Sequence, residues 1–195
     1  RGNSVYLPSK VVPMLPESLS NGLCSLKPNE DRACLAVEIF LDKNGDKKSH
    51  RFMRGKLRSA ARLTYDEVQS VYEGLLDEKQ LKLESGTLYH LFAVYQCRKK
   101  LRRIRGALEL NLKERYIKFA ENNQPFGIEL RQQKEANELI EEFMILANIC
   151  AAETLEEKHK TCVYRVHEPP STDKLADLTL LANGMNINLP KTPNF

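Results

Sequence analysis

Four features of this chain have side chains of the right type and spacing to do chemistry. Tyr6 lies in a segment with prolines at 8, 13, 16 and 28. Each proline removes an amide donor and restricts the residue before it, so residues 1–32 read as extended chain and turns. A tyrosine on so stiff a strand offers a flat face at small entropic cost, which suits stacking on a nucleobase. A core-edge tyrosine is the plainer alternative. Tyr65 carries the same two readings, and its hydroxyl has the chemistry to meet a sugar 2′-OH. Glu141 and Glu142 interrupt an otherwise apolar helical stretch. A carboxylate near a buried face needs partners because stranding it is costly. Glu141 is therefore either held by a structural bond or available as a site acceptor, while Glu142 is expected to face water. Finally, "RKKLRRIR" (98–105) has six basic residues in eight. Such a run can track phosphates, and it is equally what a solvated helix C-terminus looks like.

Other chemistries lack a signature. His50, His90, His159 and His167 are scattered, with no legible Ser/His/Asp or Cys/His arrangement. No phosphate-cradling glycine loop occurs. "DKNGD" (42–46) superficially suggests a calcium loop, but the later acidic ligand and the length are wrong, and it reads as a turn. Cys24, Cys34, Cys97, Cys150 and Cys162 are odd in number and widely spaced, which fits reduced core thiols in a cytosolic protein. The net charge of +4 permits a nucleic-acid partner without demanding one. No apolar run approaches the length of a membrane span, and no secretion signal is legible at the start. Both ends read as cuts in connecting segments.

These residues need elements to hold them. "CLAVEIFLDKNGDKKSHRFMRGKLRS" alternates on both sides of Asn44-Gly45, predicting a β-hairpin with its second arm over roughly 48–58. "LTYDEVQSVYEGL" predicts a short helix, with Thr64 and Glu67 at capping-box spacing and Val68, Val71, Tyr72 and Leu75 on one face. A second helix is expected over about 87–105, with Leu88, Leu91, Phe92, Tyr95, Leu101 and Ile104 inward and Gly106 as its stop. Two short strands follow. The longest periodic stretch, about 135–158, predicts a central helix with Leu139, Ile140, Phe143, Met144, Ala147 and Ala151 as its apolar stripe. "CVYRVH" reads as a strand, and a last helix is expected after Ser171 or Thr172 and up to Gly184.

Read together, "RGNSVYLPSKVVPMLPESLSNGLCSLKPNEDR", "AARLTYDEV", "RRIRGALEL", "NELIEEFMILAN" and "YRVHEPP" resemble, in order, the catalytic domain of the bacterial ribonuclease II and ribonuclease R family. The resemblance covers essentially all of residues 1–195 and implies the central part of one such domain. The fold expected is mixed α/β, a curved, partly antiparallel sheet with helices packed on it. The activity implied is that of a cytoplasmic, monomeric 3′→5′ processive exoribonuclease, without a membrane partner, that hydrolyses single-stranded RNA to nucleoside 5′-monophosphates with Mg2+. In the family an aspartate cluster holding the metal precedes the segment matched here, and a phosphate-assisting arginine follows it. No catalytic or metal-ligand residue is therefore expected in this chain, which by itself should be inactive. What carries over is substrate handling: Tyr6 matches a residue stacking on the 3′-terminal base, Tyr65 one that tells RNA from DNA, and Glu141 one that engages the terminal ribose. Leu110 stands where many members have a phenylalanine packed on the far side of the base stack, and leucine lacks a π-face. A non-catalytic homologue that binds RNA or protein is the rival reading.

Overall fold

The computed structural model describes residues 3–8, 10–107, 114–122 and 124–189. The strands are laid out first along the chain. β1 (Val5–Tyr6) and β2 (Val11–Val12) pair antiparallel, with Tyr6 opposite Val11. The turn between them closes through mutual backbone bonds of Leu7 and Lys10, with Pro8 supplying the fixed φ such a turn needs. Proline rigidity thus yields a very small hairpin. A six-residue π-helical turn, Ser18–Leu23, follows, where extended chain and turns were expected.

β3 (Asp31–Leu41) and β4 (Lys47–Arg58) form the predicted hairpin in antiparallel register from Asp31↔Arg58 to Phe40↔Ser49. Its turn is an Asx arrangement. Asp42 Oδ1 accepts from the amides of Asn44 and Asp46, and Gly45 takes a φ of +89°. The glycine is required twice over, because a Cβ there would lie 2.9 Å from the Cβ of Cys97.

α1 (Tyr65–Tyr72) opens on the predicted capping box of Thr64 and Glu67. The helix ends before Leu75, which is exposed instead of joining the apolar face. α2 (Thr87–Ile104) begins under the Glu78 carboxylate, which accepts from the amides of Gly86, Leu88 and Tyr89 and so places an anion at a helix N-terminus. Ile104 is 80% exposed and does not face the core as expected, because the buried face of α2 runs through Leu88, Phe92, Tyr95 and Arg98 and ends before it. β5 (Glu114–Phe119) and β6 (Pro125–Arg131) form a third antiparallel pair. α3 runs from Glu135 to Glu157.

The chemistry of the core follows from this order. Leu88, Phe92 and Tyr95 of α2 bury against Ala136 and Leu139 of α3, with Val68 and Val71 of α1 closing the cluster. Tyr72 stacks on Phe92 at 4.2 Å between ring centroids. α3 turns Leu139, Glu142, Leu146 and Cys150 inward, so its buried stripe is rotated from the one predicted. Ile140 and Met144 are exposed. The rotation places Glu142 in the interior at 1% exposure, not in water.

The chain divides into two compact units, residues 1–154 and 155–195. The second holds the end of α3, the stretch 158–170 and α4 (Thr172–Gly184), whose N-cap Ser171 accepts from the Lys174 amide. Among the described residues, none of 161–170 joins a sheet, so the strand expected at "CVYRVH" is instead unpaired chain. The mixed α/β class with antiparallel pairing holds, its strands distributed among three two-stranded sheets. All five cysteines are free, but only Cys150 is buried and Cys24 is exposed, so they are not core thiols as a set. No helix among the described residues is long and apolar enough to cross a membrane.

Candidate nucleic-acid interface

Tyr6 projects from the β1–β2 hairpin with 77% of its surface exposed. Its ring is therefore open to a planar ligand. The hairpin is pinned locally by the Met14 amide, which donates to Ser4 Oγ at 3.0 Å.

Tyr65 is the first residue of α1, directly after the capping threonine, and is half-exposed. Capping fixes where the helix begins, and hence where Tyr65 stands. The N-termini of α1 and α3 are tied together. Lys134 pairs with Asp66, and Gln69, itself buried, donates to Glu135 at 2.8 Å and accepts from the Ala136 amide at 3.1 Å. A side chain of α1 thereby satisfies one of the orphan donors at the start of α3. This seam fixes α1, and with it Tyr65, against the first turn of α3, the helix that carries Glu141 farther along. Among the described residues, no hydrogen bond or ion pair connects Tyr6 to either of them. Leu110 lies outside the described residues.

Glu141 is half-buried and held from two sides. Arg102 Nη1 donates to its Oε1 at 2.9 Å, and Gln133 Nε2 donates to its Oε2 at 3.0 Å. The same Arg102 Nη1 donates to Glu142 Oε1 at 3.0 Å. These bonds keep the Arg102 guanidinium above its ordinary pKa, the one to Glu141 contributing most. One turn earlier, Tyr95 donates to Glu138, and Lys99 donates to both Glu138 (2.6 Å) and the Tyr95 hydroxyl (2.9 Å). Burial pulls the Glu138 carboxyl upward, but Lys99 and Tyr95 outweigh it and the group lies below its usual value.

The basic run is therefore not a uniform solvated face. Arg98 is buried and donates to the carbonyl of Gly45, while Lys99 and Arg102 are spent on α3 carboxylates. Arg98, Lys99 and Arg102 are thus structural. Arg102 and Gln133 were missed as site residues in the sequence. The only signal for Arg102 was the run itself, in which it is indistinguishable from its neighbours, and Gln133 carried none.

Magnesium, which the resemblance implies, would need a cluster of such carboxylates. Among the described residues, no three His, Cys, Asp or Glu side chains converge as a metal would need. The carboxylates of Glu138, Glu141 and Asp66 are each paired with a cation instead.

The RNB domain matches residues 1–194. The chain belongs to the RNB domain family. It is 42% identical over 178 residues to ribonuclease R of Vibrio cholerae, covering 90% of this chain and 21% of that protein. It is 37% identical over 191 residues to ribonuclease R of Escherichia coli, covering 97% of this chain and 24% of that one. Among solved structures, RNase R of Mycoplasma genitalium in complex with ribose-methylated single-stranded RNA matches with a TM-score of 0.87 at 33% identity, over 98% of this chain and 30% of that one. The chain thus spans about a quarter of the length of the curated relatives it matches.

Proposed function

We propose that this chain is the RNA-handling segment of a 3′→5′ exoribonuclease that degrades single-stranded RNA to nucleoside 5′-monophosphates. The observation that carries the reading is the family match, which runs from residue 1 to residue 194. Relatives named ribonuclease R, and an RNase R solved with ribose-methylated single-stranded RNA, support the reading of the substrate class. Within it the chain's own residues bind and orient. Tyr6, open on its hairpin, stacks on the base at the 3′ end. Tyr65 and Glu141, on two helices joined by the α1–α3 seam, read the terminal ribose as hydroxyl and carboxylate partners of the 2′-OH. Leu110 presses on the base stack from the other side. Magnesium supplies the hydrolytic chemistry when bound, with ligands from other parts of the protein. The enzyme works as a cytoplasmic monomer.

The test uses the full-length protein and a 5′-labelled single-stranded oligoribonucleotide. Stepwise shortening from the 3′ end with release of mononucleotides is expected, and internal cleavage products would overturn the assignment. Tyr65→Ala is expected to lower the RNA-over-DNA preference in kcat/KM by up to about tenfold, the scale of one lost hydrogen bond. An unchanged sugar preference would remove Tyr65 from the ribose-reading role.

A further inference from the structure

We infer that Arg102 and Gln133 are positioning residues for Glu141, fixing the carboxylate that reads the ribose, and that Arg102 is not a phosphate ligand. The inference rests on the reading of Glu141 given above. A carboxylate has two oxygens and about four acceptor sites. Arg102 occupies one site on Oε1 and Gln133 one on Oε2, so both oxygens are oriented and, among the described residues, each keeps a second acceptor site. The side chain remains 40% exposed, which leaves those sites reachable. A glutamate with three rotatable bonds in water would spread its acceptors over many directions. Held from both sides, it presents them in one.

Glu142 explains why Arg102 stays in place. It is 1% exposed, its Oε1 is bonded to Arg102, and its Oε2 is buried without a hydrogen-bond partner among the described residues. The interior charge of Glu142 therefore depends on Arg102. A buried charge that loses its counter-ion is strongly destabilising, so the guanidinium is anchored to α3 and not free to follow a phosphate. The inward carboxylate holds the arginine, and the arginine holds the outward carboxylate.

The experiment measures kcat/KM on matched single-stranded RNA and DNA in the full-length enzyme. Gln133 is exposed, so Gln133→Ala removes one orienting bond with little risk to folding. Arg102→Met is made together with Glu142→Gln, so that no interior charge is stranded. Glu141→Ala serves as the reference. Gln133→Ala and the Arg102→Met/Glu142→Gln pair are each expected to reduce the RNA-over-DNA ratio by about three- to tenfold. Neither should reduce it further once Glu141 is alanine, as a double-mutant cycle would reveal. If Glu141→Ala lowers the ratio but neither positioning variant does, the inference fails while the reading of Glu141 stands. If Glu141→Ala leaves the ratio unchanged, that reading fails and takes the inference with it. Equal weakening of RNA and DNA with a shallower salt dependence would make Arg102 a phosphate contact and also overturn the inference.

Discussion

Tyr95 shows how much one buried hydroxyl does between two helices. It is fully buried, donates to Glu138 and accepts from Lys99. Its phenol is pushed up to about 12, first by burial and then by the Glu138 carboxylate. In an unfolded chain tyrosine ionises near about 10. The folded value is the higher one, so its contribution to stability is complete below about pH 10 and is lost as pH rises toward about 12. Tyr95→Phe is expected to cost about 1 kcal/mol near neutrality. The gap between wild type and variant should then narrow from pH 10 upward. Urea unfolding of both proteins across that range checks the sign, and parallel curves would contradict it. Residue-level reading of the sequence was uneven at the neighbouring site. It singled out Glu141, but placed Glu142 in water, because helical periodicity locates a stripe only to within a residue or so on α3. A glutamate flanked by apolar residues looks solvent-facing until a cation from another helix is brought to it.

At the scale of elements, two contacts decide what the helices can present. The first is the seam between the N-termini of α1 and α3, where Gln69 and the Lys134–Asp66 pair fix the helix that begins at Tyr65 against the start of the helix that carries Glu141. The second is the docking of the β3–β4 turn on α2. Gly45 approaches Cys97 so closely that a Cβ would come within 2.9 Å of its Cβ, and its carbonyl accepts from the buried Arg98 at 3.0 Å. Gly45→Ala therefore meets both a left-handed φ of +89° and a collision. A loss of about 2–4 kcal/mol is expected, from backbone strain of about 1–2 kcal/mol plus overpacking of similar size. It should be read as a lower urea midpoint at unchanged slope. The turn at Asn44-Gly45 and the Thr64 capping box were legible because both signals are local in sequence. The strand expected at "CVYRVH" was not formed, because β-branched and aromatic residues mark a strand only if a partner edge is available to pair with it.

At the scale of the whole molecule, the prediction concerns the chain assayed alone. The chain covers 21–24% of the ribonuclease R proteins it resembles. Its described acidic residues gather no metal-holding cluster. The isolated 195 residues are accordingly expected to show no magnesium-dependent decay of RNA, followed as release of mononucleotides from a labelled oligomer. Robust hydrolysis would mean that the chain carries its own catalytic groups. By itself the sequence determined the family, the mixed α/β class, most helix and hairpin limits, and Tyr6, Tyr65 and Glu141 as the residues to watch. Those properties are written in local patterns and ordered motifs, which need no knowledge of what lies across the fold. Only the tertiary structure decided which cations of "RKKLRRIR" are spent inside, which glutamate faces the interior, and what holds Glu141. Each of those outcomes depends on groups from different segments meeting at hydrogen-bond distance, as Arg98 meets Gly45 and Arg102 meets Glu141 and Glu142, and on a burial cost that only the partner can offset.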